Sequence, residues 1–282
     1  MKIPFMKMLN TKLSVDLVSD LHIDQWSTKY NKPYPSGEVK NFPFEFDKTG
    51  SKYLVVAGDI SDNINWSLDY LDKVSNKYEK ILFVEGNHEH VNKYPNLYKK
   101  SDISPLIKND KLIYLPEKSY VIDDTVFIGS CGWWDYGNGN IDMIKKNYNY
   151  FEHWIKKFGK NENIEFIYNV IDRSLEEYEY LKCEIEKYEK DDNIENIVLV
   201  THTVPLKIFC YMVDKNLELN YSTQYNTKYS DLLSCSKISH WFFGHSHDKH
   251  ELYLDNINFI SNPRGRPEDK NRIRYSVNTI EI

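Results

Sequence analysis

The stretch "FFGHSHDKH" (242–250) places three of the chain's nine histidines, His245, His247 and His250, behind an aromatic run and a single glycine. Neutral imidazole is costly to bury without a partner. Such a cluster is therefore either a solvated His-rich loop or a turn at which Gly244 ends a strand and aims imidazoles at a metal ion. The same order of apolar run, break and donor recurs along the chain. Asp20 and His22 follow "LSVDLV", Asp59 follows "YLVVAG", Asn87 and His88 follow "KILFVEG", and His202 follows "NIVLVT". Converging on one edge, Asp20, His22, Asp59, Asn87, His202, His245 and His247 suit two divalent cations. Asp59 is the natural bridge, because a carboxylate has two oxygens. Alternate residues of a strand share a face, so D-x-H and H-x-H would each point both side chains the same way. No thiolate is in the set, which favours manganese, iron or zinc over a soft-metal site.

Those runs read as strands stopped by Gly or a Ser-Asp break. "WSLDYLDKVSNKYEK" (66–80) carries Leu68, Leu71, Val74 and Tyr78 at helical spacing. With the strands on either side it makes a βαβ unit and implies a parallel sheet. "TVFIGSCGWW" (125–134) is a further strand, and 164–190 is a long amphipathic helix. Two C-terminal strands, "HELYLDNINFIS" and "RYSVNTIEI", flank the loop "NPRGRPEDKN". Residues 27–51 read as a Pro/Gly/aromatic loop and 135–163 as a polar, partly helical insertion. Neither is apolar enough for a second core, so one α/β domain over 1–282 is expected. In such sheets ligands collect at the C-terminal strand edge.

The bulk composition narrows the classes. Of 282 residues, 41% are hydrophobic and 28% charged, which is ordinary for a globular protein and too apolar for disorder. A net charge of −6 argues against non-specific binding to nucleic acid or anionic membrane. Cys131, Cys183, Cys210 and Cys235 form no C-x-x-C, so reduced thiols in a cytoplasmic protein fit better than a disulfide framework. The start "MKIPFMKMLNTK" is too short and too interrupted by Lys for a signal peptide. No membrane partner is expected.

D-x-H, H-x-H and G-D are weak signals singly. Their order carries the information: "SDLH", "GDISD", "GNHE", "TH" and "GHSH", each behind an apolar run. This order resembles the calcineurin-like metallophosphoesterase superfamily, with its D-x-H, G-D-x-x-D, G-N-H-[DE], H and G-H-x-H blocks. "ISNPRGRP" and "YSDLL" further resemble a single-domain bacterial and viral branch of it. The resemblance implies a four-layer α/β/β/α sandwich of two mixed sheets with a binuclear metal site at the C-terminal strand edge. It implies one metal on Asp20, His22, Asp59 and His247, and a second on Asp59, Asn87, His202 and His245, with Mn²⁺ the first expectation and Fe or Zn²⁺ the alternatives. His88 would protonate the leaving oxygen or steady the charge on phosphorus, with Asp62 holding its imidazole, while metal-activated hydroxide attacks. Asn87 and Arg264 would also meet the substrate.

Phosphoprotein phosphatases of that superfamily carry Arg where this chain has Glu85 and Asn63, and its DNA-repair nucleases carry His where Asp62 stands. By elimination the expected function is that of a phosphodiesterase on a small nucleotide or related phosphoester. A nuclease on DNA or RNA and a non-catalytic scaffold are the alternatives. Among minor residues, His90 stands between cleft lining and exposed loop, and Trp133 and Trp134 between base stacking and core. Arg266 stands between a bidentate phosphate contact and solvated surface, His250 reads as surface, and His153 and His240 carry no pattern.

Overall fold

The computed structural model describes residues 12–26, 49–145, 163–210, 222–267, 269 and 275–282. Two mixed sheets carry the chain. In the first, β1 (Ser14–Val18), β2 (Tyr53–Ala57), β3 (Lys80–Val84) and β4 (Leu112–Tyr114) run parallel, and β11 (Asn278–Glu281) pairs antiparallel with β1. In the second the order is β5 (Tyr120–Ile122), β6 (Thr125–Ser130), β7 (Asn196–Thr201), β8 (Ile238–Phe243), β10 (Ile257–Ser261) and β9 (His250–Leu254). Its strands β6, β7, β8 and β10 are parallel, with antiparallel β5 and β9 at the two edges.

Why the strands read as unbroken apolar runs follows from their burial on both faces. Alternate residues separate cleanly into two sets. Val55, Ala57, Leu82, Val84, Phe127, Val198, Val200 and Phe242 meet in one core between the sheets. Leu54, Val56, Ile81 and Phe83 turn the other way, onto the helix Ile64–Val74. Val126, Ile128, Ile197, Leu199, Trp241 and Phe243 turn toward Tyr178, Leu181 and Ile185 of the long helix Asn163–Glu189. The layers are helix, sheet, sheet, helix, as the resemblance implied.

Several boundaries differ from expectation for local reasons. The first helix begins two residues earlier than its apolar spacing suggests, because the Asn63 side chain accepts the backbone N–H of Asn65 and caps it. It ends at Val74, and buried Tyr78 lies beyond it, donating its hydroxyl to Asp16. "HELYLDNINFIS" is a hairpin rather than one strand. Asp255 and Asn256 have φ of 51° and 65°, the left-handed pair of a two-residue hairpin turn that Asp and Asn tolerate. Strands β4 and β5, three residues each, are too short to show a period. Most of the 27–51 loop and 146–162 of the polar insertion, with His153, lie outside the described residues.

The two sheets are stitched where their parallel strands end. Ser19, just past β1, donates its N–H to Asn262 past β10 and accepts that of Arg264. The C-terminal edges of β1 and β10 are thus in direct contact. Phe242 is fully buried between the sheets, three residues before His245. Phe242→Ala is expected to cost about 3–5 kcal/mol through lost transfer energy and the cavity left behind. A urea unfolding series checks it, and an unshifted midpoint would mean that the inter-sheet core does not carry the fold.

Candidate metal centre

Each donor lies in the loop leaving a parallel strand, and the loops turn unusually sharply. Asp20, His22, Asp59, His245 and His247 have φ of 49°, 41°, 54°, 70° and 56°, in the left-handed region. Asp and His enter that region more readily than most side chains, and such residues gather at functional sites. Strand alternation is therefore not what aims Asp20 and His22. They stand beyond β1 on left-handed turns, tied by Asp20 N–H to Gly58 O and His22 N–H to Asp59 O. The same correction applies to H-x-H, whose two rings point into different donor groups. Close approach explains two of the glycines: a Cβ on Gly86 would lie 2.1 Å from Asp59 Oδ1, and one on Gly244 would lie 2.5 Å from Asp20 Oδ2.

Glu89, the last residue of "GNHE", fastens the loops after β2 and β3 together. Its buried carboxylate accepts the N–H groups of Asp59, Ile60, Ser61 and Gly86 and the hydroxyl of Ser67. Burial pushes this carboxyl up to about 7 and Asp59 adds to the push. Five donors gathered on it are nonetheless the surroundings of an ionised carboxylate. Sequence alone assigns Glu89 no role. Its only signal is a position in a block whose neighbours are donors.

The seven donors form two groups that share Asp59. Asp20, His22, Asp59 and His247 have ligand atoms within 4.8 Å of one another, as do Asp59, His202 and His245. Asn87 joins the second group, with Oδ1 3.0 Å from His202 Nε2 and 3.1 Å from His245 Nδ1. Ring nitrogens face each other at 3.0 Å (His22 and His247, both Nε2) and at 3.2 Å (His202 Nε2 and His245 Nδ1). Outward nitrogens are held from behind: His202 Nδ1 at Ala57 O, His245 Nε2 at Thr223 O, and His247 Nδ1 at Asp269 Oδ2. A partner on the outer nitrogen fixes the tautomer and turns a lone pair inward, the usual support of a metal-binding imidazole.

Electrostatics show what the cluster lacks. Burial alone would raise Asp59, but the imidazoles of His202 and His88 outweigh it and hold this carboxyl well below its ordinary range. Burial drives His245 down to about 3 and His22 well below its usual value, so both rings are neutral bases. Asp20 is pushed up by burial, and its Oδ2 is buried with no hydrogen-bond partner among the described residues. An orphaned carboxylate oxygen and inward lone pairs at contact distance fit divalent cations.

His88 stands beside both groups. Its N–H donates to Asp59 Oδ1, Nδ1 is 2.6 Å from Asp62 Oδ1, and Nε2 is 3.8 Å from Asp59 Oδ2. Burial opposes a charge on this ring, but Asp59 and Asp62 outweigh it and raise the pKa. The Nη2 of Arg266 lies 2.8 Å from Nε2, and that contact requires a lone pair there. Arg266, left open between phosphate contact and surface, is thus the arginine at His88. Arg264, expected at the substrate, is buried 4.1 Å from the Trp26 ring centre, and burial lowers it to about 10.

His90 is neither cleft lining nor exposed loop. It is fully buried 3.8 Å from Glu85, accepts the Tyr98 N–H, and sets its ring against Trp133. Trp133 and Trp134 are core residues, and Trp134 also packs on His245. His250 is half-buried on the Phe243 ring, and His240 is buried in β8 beside Asn258. Glu89→Gln leaves one acceptor oxygen and turns an NH₂ group toward N–H donors. The expected loss is about 1–3 kcal/mol of stability, with lower metal content, checked by thermal melting and elemental analysis. Wild-type values of both would remove Glu89 from its positioning role.

Comparison with known proteins agrees with this arrangement. The sequence profile of the calcineurin-like phosphoesterase family matches residues 13–249. The uncharacterized protein L509 of Acanthamoeba polyphaga mimivirus is 25% identical over 279 residues, covering 90% of this chain and 91% of that protein. Phosphopantetheinyl hydrolase (PptH) from Mycobacterium tuberculosis superposes with a TM-score of 0.65 at 20% identity, over 95% of this chain and 96% of that one, a likeness of fold. From the first strand through His247, the profile takes in every donor described above, and the chain belongs to the calcineurin-like phosphoesterase family.

Proposed function

We propose that this protein is a binuclear, metal-dependent phosphohydrolase, a phosphodiesterase acting on a small nucleotide or related phosphoester. The observation that carries the reading is the pair of donor groups sharing Asp59, with His88 at their margin. Asp20, His22, Asp59 and His247 would hold one cation, and Asp59, Asn87, His202 and His245 the other. The all-O/N donor set suits Mn²⁺ first, with Fe and Zn²⁺ as alternatives. When bound, two such cations lower the pKa of an attacking water and neutralise charge on the phosphoryl oxygens.

The chain's own residues do the remaining work. His88 presents Nε2 toward the metal edge and gives a proton to the leaving oxygen. Asp62, on Nδ1, orients the ring and, with Asp59, favours its charged form. The Asn87 amide, between His202 and His245, faces the same space as the phosphoryl group. Buried Trp134, packed on His245, keeps water from the second donor group.

The preference for a small substrate rests on charge. A chain of net charge −6 offers little to replace counterions along a polynucleotide, and phosphates must be met at one point. No helix among the described residues is long and apolar enough to cross a membrane. With Mn²⁺, bis-p-nitrophenyl phosphate and mono- or dinucleotides are expected to be hydrolysed faster than oligonucleotides at ordinary salt, and a chelator to abolish turnover. Faster, steeply salt-sensitive cleavage of oligonucleotides would make the protein a nuclease, and no metal-dependent turnover of any of them would make it a scaffold.

His88→Ala is expected to keep its metals and lose about 10²–10⁴-fold in turnover. The loss should be smaller for a good leaving group such as p-nitrophenolate than for an alkoxide. Equal losses on both would move His88 from proton donor to phosphate-binding residue.

A further inference from the structure

Among the described residues, Arg266 is the arginine whose side chain meets the metal-centre histidines, and it arrives from 178 positions away in sequence. Its base is fixed. The backbone N–H of Arg266 donates to Asp269 Oδ2 at 2.7 Å, and the same oxygen lies 2.6 Å from His247 Nδ1. One carboxylate thus fastens the loop after β10 to a candidate ligand and sets the start of the arginine side chain. Its head is poorly matched. Nη2 rests on the His88 ring, while Nε is buried without a hydrogen-bond partner among the described residues.

A guanidinium carries five N–H donors in a planar fork that fits two oxygens of one phosphoryl group. The His88 ring offers that fork one nitrogen and no anionic oxygen. We propose that Arg266 is the residue through which this protein grips the phosphoryl group of its substrate, an inference that rests on the phosphohydrolase reading above. Its Nη2 touches Nε2 of His88, which is itself 3.8 Å from the shared carboxylate of Asp59. A phosphoryl oxygen held at the metal edge beside His88 would come within reach of the guanidinium. An anionic oxygen draws Arg266 off His88, satisfies the buried Nε and leaves Nε2 free to face the leaving oxygen. Neither Asn63 nor Glu85 competes with it for the phosphoryl group, since Asn63 caps a helix and Glu85 is buried against His90.

The test uses the full chain loaded with Mn²⁺ and inorganic phosphate as the probe, titrated calorimetrically, beside turnover of bis-p-nitrophenyl phosphate. Arg266→Ala is expected to weaken phosphate binding about 10–100-fold and to raise KM by a similar factor, as for loss of a charge-assisted bidentate pair. Metal content should stay at the wild-type level. Arg266→Lys, which keeps the charge and loses the fork, should fall between the two. Phosphate affinity unchanged in both variants overturns the assignment. So does a rise in kcat at unchanged phosphate affinity, because Arg266 would then be only a plug on His88. If Arg266→Ala loses metal, Arg266→Lys decides by the same phosphate titration. A wild-type protein that binds phosphate but hydrolyses neither diester nor monoester overturns the phosphohydrolase reading alone, since the affinity comparison still stands.

Discussion

A carboxylate buried among imidazoles is the constraint around which this structure is organised. Asp59 is 1% exposed, its Oδ2 is 3.2 Å from His202 Nε2, and both His22 and His88 stand 3.8 Å away. A charge so placed is tolerable only if several groups approach it together, because its loss of hydration is large. Those groups come from both sheets, so the sheets must end at a common edge. The contacts of Ser19 with Asn262 and Arg264 make them do so. Gly86 is needed because any side chain there would occupy the carboxylate's own space. Glu89 in turn pins the backbone of Asp59 to Gly86. Remove that clamp and the two loops keep only the contacts of His88 with Asp59 and Asp62 and of Asn92 with Asp62 among the hydrogen bonds described.

The second consequence is strain. Five of the seven donors adopt left-handed backbone angles, and they account for half of the ten non-glycine residues that do so among those described. Such angles cost of order 1–3 kcal/mol each at ordinary residues and less at Asp, Asn or His. The surrounding core offsets this, because aromatic side chains fill it on both sides of the second sheet: Phe127 and Phe242 toward the first sheet, Trp241 and Phe243 toward the helix. Rigid strands with short, strained exits hold donors in place before any cation arrives. Pre-placement of this kind lowers the ordering cost of binding.

How much of this was legible in the sequence depended on whether a residue's role is set locally. The strands were legible because burial on both faces leaves an unbroken apolar run. The donors were legible because each follows such a run within a few positions. The mechanism of their convergence lies outside the strand period, since D-x-H and H-x-H act through left-handed turns rather than strand alternation. Glu89, Asp269, His90 and Arg266 were not legible in the same way. Glu89, Asp269 and Arg266 owe their roles to partners far away in the chain and His90 to burial against Trp133, and nothing in the local pattern separates a clamp from a surface charge. Arg264 and Arg266 make the point most sharply. Two arginines in one Pro/Gly-rich loop differ only in whether the chain turns them toward Trp26 or toward His88.

The same comparison explains why substrate choice cannot be read from the donor set alone. The seven donors and His88 would serve any phosphoester, so discrimination must come from the groups around them. In this chain the loops after β2 and β3 have committed their nearby polar positions to structure: Asn63 caps a helix, Glu85 is paired with buried His90, and Glu89 is the clamp. Among the described residues, the positive charge nearest His88 comes from the other sheet, on the loop that leaves β10. That loop is anchored through Asp269 to His247, so the proposed phosphoryl grip is mechanically continuous with the candidate metal centre. Among the described residues a single guanidinium of that loop faces His88, an arrangement suited to one phosphoryl group met at one point.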